Sequence, residues 1–402
     1  MKETPRIILK PGREVSLLRH HPWLFSGGIA RAERDLEPGA LVAVYDASNT
    51  FLAWGHYSPE SQIRVRLISW DDEETPDTSA FWEARLRRAL EARALLFHDR
   101  STNAFRLINA ESDGIPGLIV DRYADALVLQ SLTVGIEARK ELLAELLMTR
   151  LLPPDWSSSF KPRTLYERSD ADVRGKEGLK SRVGLLGGKE PDDTIEILEN
   201  GLRFLVDVRG GQKSGFYLDQ RENRQHLREA VQGAAKVGKA PTLLNVFAYT
   251  GGFAIYGLAG GAGATVNVDA SAEALSLGRR NLSLNALGEN ATEDIADDAF
   301  KVLRQMRQER RLFDCIVLDP PKFAFTEKDV QRASKGYKDI NLQALHLLPV
   351  GGLLFTFSCS GAITADLFQK IVFGAALDAG REVQIIGWMT QSGDHPVALT
   401  FP

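Results

Sequence analysis

"TLLNVFAYTGGFAIYG", residues 242 to 257, decides the fold of this chain. The apolar run from Thr242 to Tyr249 reads as a buried strand, and "GGFAIYGLAGG" as the helix that follows it. Gly251 and Gly252 sit between the two, where a residue without Cβ lets the backbone approach a ligand closely. The spacing is not G-x-G-x-x-G, so the dinucleotide fingerprint is not met, and taken alone the pair marks no more than a tight turn. Asn245, Phe247, Tyr249, Thr250 and Gly251 are the candidate cofactor residues of this turn.

The pattern repeats downstream. "ATVNVDA" and "SAEALSLGRRNLSLNAL" form the next strand and helix, with Ser271 as N-cap and Glu273 in the first turn. "DCIVLDPP" and "GGLLFTFSCS" are nearly continuous apolar strands, as a parallel sheet covered on both faces requires, and "EVQIIGWM" is expected to be the next strand. Strands alternating with helices predict a doubly wound α/β domain with ligands at the strand C-termini. Asp269 closes the second strand, where a carboxylate accepts hydrogen bonds from ribose hydroxyls. In "ADDAF", Asp298 stands where an adenine amino group would be held, and "DPPKF" (Asp319 to Phe323) ends the fourth strand. Each aspartate alone could be a helix N-cap. The ordered set describes an S-adenosylmethionine methyltransferase better than a nicotinamide dehydrogenase.

Upstream, the chain changes character twice. Residues 1 to 75 alternate apolar and polar positions with frequent turns ("RIILKPGRE", "LEPGALVAVYD"), a small all-β pattern ending in the acidic linker "DDEETPDTS". Residues 76 to 190 read as an α+β middle domain. In it, "FWEARLRRALEARALL" and "ARKELLAELLMTRLL" have helical spacing, "RLINAESDGIPGLIVDRYADALVLQSL" reads as two strands around a Gly/Pro turn, and a basic, glycine-containing loop closes the region. Residues 191 to 402 make up the third, α/β domain.

Composition narrows the function classes. With 402 residues, 44% apolar and 25% charged, the chain is an ordinary globular protein with room for two or three domains. No apolar run reaches the length of a membrane helix, and no signal-peptide block opens the chain, so a cytoplasmic protein is expected. Two cysteines and no Cys/His cluster argue against a disulfide framework or a metal site. The net charge of −4 does not mark a bulk nucleic-acid binder, yet Arg85 to Arg93 and Lys161 to Arg182 lean positive and are candidate phosphate contacts. The bland reading of both stretches is solvated charge.

"GQKSGFYLDQRENR" (Gly211 to Arg224), "YTGGFA", "DPPKF", "SCS" and the N-terminal "HPWLFSGGI" together resemble the bacterial 23S rRNA cytosine-C5 methyltransferases of RlmI type, over nearly the whole chain. The resemblance implies a small PUA-like barrel that binds RNA, a middle α+β domain and a C-terminal class I, Rossmann-like methyltransferase domain. It also implies that Gln212, Lys213, Phe216, Asp219 and Arg221 help bind S-adenosylmethionine beside Asp269 and Asp298. Members of that family continue past the "HPV" stretch into one more strand, whereas this chain ends at "HPVALTFP". A homodimer is left open.

Cytosine C5 is a weak nucleophile, and a thiolate added at C6 makes it enamine-like. Cys359 stands at a strand C-terminus on the ligand side and is the candidate nucleophile, while Cys315, inside "DCIVLD", reads as a core thiol. Asp319 is the second catalytic candidate, and Pro320, Pro321, Lys322 and Phe323 are candidate contacts to the base. Many RNA cytosine-C5 methyltransferases carry a second cysteine in the fourth-strand motif. Lys322 takes that position here, which leaves the acceptor of the C5 proton as a water or Asp319. Two other readings compete. A D-P-P-aromatic turn also suits methylation of an exocyclic amine, without a thiol, and the β domain alone would suit a non-catalytic RNA-binding or assembly factor.

Overall fold

The structure, a computed structural model, describes residues 4–150 and 160–401. Two compact units divide the chain. The first is Met1–Gly201, Val206–Asp219 and Gln391–Pro402; the second is Leu202–Leu205 and Gln220–Thr390.

The first unit begins with β1 (Arg6–Leu9), α1 (Val15–Leu18), β2 (Trp23–Phe25), β3 (Ile29–Ala32), β4 (Leu41–Tyr45), β5 (Phe51–Tyr57) and β6 (Ile63–Ser69). These strands form one sheet in the order β2-β6-β5-β4-β1-β3, antiparallel except for the β1–β4 pair. The period-two alternation puts Ile7, Leu9, Val42, Val44, Val65 and Leu67 into a single apolar cluster. After the acidic linker come α2 (Ser79–Glu91), capped by the Thr78 side chain, and α3 (Ala94–His98).

A second sheet follows: β7 (Ala104–Asn109), β8 (Leu118–Tyr123) and β9 (Ala126–Ser131), then α4 (Val134–Glu137), α5 (Lys140–Thr149), β10 (Thr164–Ser169) and β11 (Arg182–Gly188), in the order β11-β10-β9-β8-β7. Two expectations are corrected here. The stretch read as two strands holds three, because Ala124 adopts a left-handed φ of 53° in a tight turn that carries no glycine or asparagine signal. The "basic loop" contains β10 and β11, and two of its arginines, Arg168 and Arg174, are buried and partnered inside the unit rather than solvated. Arg168 donates to the Val208 and Gly211 carbonyls at 3.0 Å each, and the fully buried Arg174 pairs with Glu137 at 2.9 Å. Residues 151 and 152 of the expected second helix lie outside the described residues.

The chain continues through β12 (Ile195–Glu199) and β13 (Leu202–Val206) to the second unit's elements. These are α6 (Arg221–Lys236), β14 (Thr242–Val246), α7 (Gly252–Ala259), β15 (Ala264–Asp269), α8 (Ala272–Leu284), β16 (Thr292–Ala296), α9 (Ala299–Gln308), β17 (Cys315–Leu318), α10 (Val330–Leu347), β18 (Leu353–Thr356) and α11 (Ala365–Ala379). The sheet is all parallel in the order β16-β15-β14-β17-β18. The chain winds outward from β14 and then returns to its other side, so the order reverses between β14 and β17. Ligands of open α/β sheets bind at the strand ends of such a switch point.

Alternate residues of this sheet feed two apolar clusters. Leu243, Cys315 and Val317 pack with Leu227 and Val231 of α6 and Phe253 of α7. Leu244, Val246, Ile316 and Leu318 pack with α9 and α10. One polar ladder crosses the sheet: the Asn245 amide donates to Asn267 at 3.0 Å, and Asn267 to Asp294 at 2.9 Å, with the three residues in register on β14, β15 and β16. The expected strand "EVQIIGWM" is not formed. Glu382 to Met389 makes no ladder pairing, and Val383, Ile385, Ile386 and Trp388 stay between 48% and 80% exposed.

Candidate active site at the strand ends

The C-terminal ends of β14, β17 and β18 lie side by side in the second unit. The Asp319 amide donates to the Val246 carbonyl at 3.5 Å, and the Phe357 amide to the Leu318 carbonyl at 2.9 Å. The turn after β14 is wound tightly: Phe247, Tyr249 and Gly251 all adopt left-handed φ values, 62°, 48° and 75°. For Phe247 and Tyr249 that conformation costs of order 1–3 kcal/mol each and persists only where surrounding contacts over-determine it. Those contacts are visible. Asp269 accepts from the Tyr249 amide through one oxygen and from the Ser271 amide through the other, both at 2.8 Å, and so straps the turn to the end of β15. Asn281 of α8 donates to the Thr250 carbonyl at 3.4 Å. A Cβ at Gly278 would stand 3.3 Å from the Thr250 carbonyl group, a contact that would require α8 or the turn to give by a few tenths of an ångström.

Cys359 follows β18 and is exposed, with its thiol 3.6 Å from the Pro320 carbonyl. Cys315 is buried, and desolvation, helped by the Asp314 charge, pushes its thiol up to about 12. A thiol held so high supplies no thiolate near neutrality, whereas the thiolate is the nucleophilic form. Around Cys359 the backbone is fixed by residues that sequence reasoning missed. The Ser360 hydroxyl accepts from the amides of Phe323 and Ala324 at 3.1 Å each. The fully buried Tyr337 hydroxyl bridges Ser360 and Ser358, 3.0 Å from each. The two serines of "SCS" thus tie the cysteine's strand end to the "DPPKF" turn. The flanking hydroxyls were the available signal; Tyr337, mid-helix in α10, gave none. Phe323 is half-buried against Tyr337, Phe247 and Phe300, with ring centroids 4.7, 6.4 and 6.0 Å away. Lys322 and Pro321 are exposed, and the Lys322 ammonium lies 5.5 Å from the Phe325 ring.

The structure places three other sequence candidates as follows. Asn245 is buried and its amide belongs to the cross-sheet ladder. Asp298 caps α9, accepting from the Lys301 amide at 2.9 Å. Arg221 is buried at the start of α6.

Gln212, Lys213, Phe216 and Asp219 belong to the first unit. Lys213 adopts a left-handed φ of 53° and its ammonium lies 2.7 Å from an Asp219 oxygen. Burial pushes the Asp219 carboxyl up, but Lys213, His395 and Arg106 outweigh it and hold the group below the ordinary carboxylate range. Its other oxygen is buried without a hydrogen-bond partner, and so is the Thr250 hydroxyl in the second unit. Each orphan, taken within its own unit, is a group that a ligand's hydroxyl or ammonium donor satisfies, so each residue by itself fits a contact to S-adenosylmethionine.

Some of the expected phosphate contacts are consumed within the first unit. Arg93 is buried and pairs in bidentate fashion with Asp113 at 2.7 and 2.8 Å, and Arg85 and Arg87 pair with Glu74 and Glu83. Exposed cations remain at Arg88, Lys161, Arg163, Lys176, Lys180 and Arg182.

Comparison with known proteins gives a consistent result. Residues 7–70 match a PUA-like domain family, and residues 174–378 match an S-adenosylmethionine-dependent methyltransferase family. The chain is 48% identical to a ribosomal RNA large subunit methyltransferase I of Aeromonas salmonicida, covering 98% of this chain and 96% of that one. It is 45% identical to the protein of that name from Klebsiella pneumoniae, over 99% of this chain and 95% of the other. Among solved structures, a SAM-dependent methyltransferase from Streptococcus mutans superposes with a TM-score of 0.80 at 22% identity, covering 98% of this chain and 96% of that chain.

Proposed function

We propose, since this chain belongs to the ribosomal RNA large subunit methyltransferase I family and is an S-adenosylmethionine-dependent methyltransferase, that it forms 5-methylcytosine in 23S rRNA with Cys359 as nucleophile. The observation that carries the reading is the contrast between an exposed Cys359, tied to the Asp319–Phe323 turn, and a buried Cys315 whose thiol is held near 12. A cytoplasmic reaction follows from the substrate, and among the described residues no helix is long and apolar enough to cross a membrane.

Bound S-adenosylmethionine supplies an electrophilic methyl group. The Cys359 thiolate adds to C6 of the cytosine, and the C5–C6 π electrons move to C5. C5, so activated, would take up the electrophilic methyl group that S-adenosylmethionine supplies when bound, the methyl–sulfur electron pair staying with the sulfur. The C5 proton leaves to a base, the C5=C6 bond re-forms, and the Cys359–C6 bond breaks to return the thiolate. Asp319, half-buried at the neighbouring strand end, is the proposed carboxylate that orients the ring or takes the proton. Phe323 offers the ring face beside it, and stacking a base is worth about 1–3 kcal/mol. Gln212, Lys213, Phe216, Asp219, Arg221, Asp269 and the Phe247–Gly251 turn are the proposed cofactor contacts. The PUA-like domain and the exposed cations hold phosphates while the base is flipped out.

Incubation with S-adenosylmethionine and 5-fluorocytosine-containing 23S rRNA tests this directly, because fluorine at C5 blocks the final elimination. A covalent protein–RNA adduct that is absent from Cys359→Ala is expected. Methylation retained by Cys359→Ala would overturn the covalent reading in favour of exocyclic-amine methylation. RNA affinity is expected to fall steeply between about 50 and 200 mM salt; a flat dependence would remove the phosphate contacts.

A further inference from the structure

The middle sheet of the first unit has no assigned part in the chemistry, yet it grips the segment Asp207–Asp219 at several points. Arg168 on β10 donates to the carbonyls of Val208 and Gly211, both at 3.0 Å. Asp121 on β8 accepts from the Ser214 hydroxyl, and the Tyr123 hydroxyl, two residues along, lies 2.9 Å from the same Ser214 oxygen. Tyr123 also accepts from the Phe216 amide at 3.2 Å and faces the Phe216 carbonyl at 3.4 Å. The far end is closed by Ser392, whose amide and hydroxyl both donate to the Asp219 carbonyl, at 2.9 and 3.0 Å. Asp121, Tyr123, Ser214 and Ser392 are all at most 1% exposed. Asp121 is itself fixed by two hydrogen bonds from Arg106, at 2.8 and 3.1 Å.

Such a buried network makes sense if the segment must hold one shape. Lys213 has a left-handed φ of 53°, which a free loop would not keep, and Gly215, at 133°, takes a conformation that a residue with Cβ rarely adopts. Every atom the sheet and Ser392 hold in these contacts is backbone or the Ser214 hydroxyl, while the side chains of Gln212, Lys213 and Asp219 are engaged within the segment, Gln212 with Tyr217 and Lys213 with Asp219. A loop ordered before binding does not have to be ordered by its ligand, which raises affinity without adding a contact.

We infer that Asp121 and Tyr123 are positioning residues for the cofactor segment Gln212–Asp219, so that the middle sheet sets the affinity for S-adenosylmethionine by pre-organising it. This rests on the reading of that segment as a cofactor site.

The test compares two pairs of variants in the full chain, measuring S-adenosylhomocysteine affinity by calorimetry together with steady-state kinetics. Tyr123→Phe and Ser214→Ala are expected to weaken binding and raise the KM for S-adenosylmethionine about tenfold. At saturating cofactor, kcat should stay within about twofold of the parent. Amide exchange of residues 211–219 should quicken while that of the second unit's sheet is unchanged, a readout that general destabilisation would not give. Gln212→Ala and Lys213→Ala remove the proposed direct contacts. If these weaken binding while Tyr123→Phe and Ser214→Ala bind normally, the inference is overturned and the cofactor reading stands. If Gln212→Ala and Lys213→Ala bind normally, the cofactor reading itself fails.

Discussion

The two large sheets of this protein both bury hydrocarbon but differ in what they bury beside it. The five-stranded sheet of the first unit and its covering helices hold charge in their interior: Asp121 with Arg106, Glu167 with Lys140, Arg174 with Glu137, all but Arg106 and Glu137 nearly inaccessible. The parallel sheet of the second unit buries hydrocarbon on both faces, and Asp269, Asp319 and Cys359 stand at its strand ends. Polar groups inside a sheet are scaffolding, because their partners are fixed and their removal is felt as instability. Polar groups on the rim are available to a substrate, and their removal is felt as lost turnover.

Substitution of the rim thiol should give the largest effect. Cys359→Ala is expected to lower methyl transfer by about a thousandfold or more with a urea midpoint close to the parent. Comparable losses of activity and stability would break the division between rim and interior. Next comes Arg174→Met in the charged sheet, which leaves Glu137 short of a partner and three carbonyl hydrogen bonds unmade. Removing one member of a buried ion pair costs about 3–5 kcal/mol, read as a shift in the urea midpoint, with activity at low temperature retained. In the hydrocarbon sheet Ile316→Ala, at a fully buried position, is expected to cost about 2–5 kcal/mol. That loss should not vary with pH.

The charged sheet should respond to acid. Burial would raise the Glu137 carboxyl, but hydrogen bonds from Lys140, Arg174 and Ser131 outweigh it and hold the group at about 2, against an ordinary 4.5. A carboxyl lowered on folding contributes stability that is complete above its unfolded value and fades as pH falls toward its folded value. Urea midpoints should therefore drop between about pH 4.5 and 2.5, and Glu137→Gln should flatten part of that drop. An unchanged profile in the variant would show that the pairing contributes nothing.

The same contrast explains what could be read from the sequence. The parallel sheet was legible because its strands are unbroken apolar runs and its turns carry Gly251-Gly252 and Asp319-Pro320-Pro321. The charged sheet was opaque. An arginine destined for a carbonyl inside a domain is spelled the same as one destined for a phosphate, so β10 and β11 read as a basic loop. The β8–β9 turn was hidden because Ala124 takes its left-handed conformation without glycine's spelling. At the site, Cys359 and the "DPPKF" turn were visible as motifs. Tyr337 was not, because its role depends on where α10 packs. Nor were Asp121 and Tyr123, since "DRY" in a strand names no partner.

The Asn245–Asn267–Asp294 ladder has a consequence for how the parallel sheet finds its alignment. Strands that are apolar on both faces pair almost equally well when slid past one another, since every slip exchanges one aliphatic contact for another. Amides do not tolerate the exchange: slid by one residue they would swap faces, and slid by two Asn267 would no longer stand opposite Asn245 and Asp294, so both hydrogen bonds would be unmade. These polar side chains, with the Thr265–Thr292 hydroxyl pair at 3.0 Å beside them, thus act as a vernier. They choose one alignment of β14, β15 and β16 from several of similar hydrophobic energy, and with it the depth at which Asp269 stands beside the Tyr249 amide.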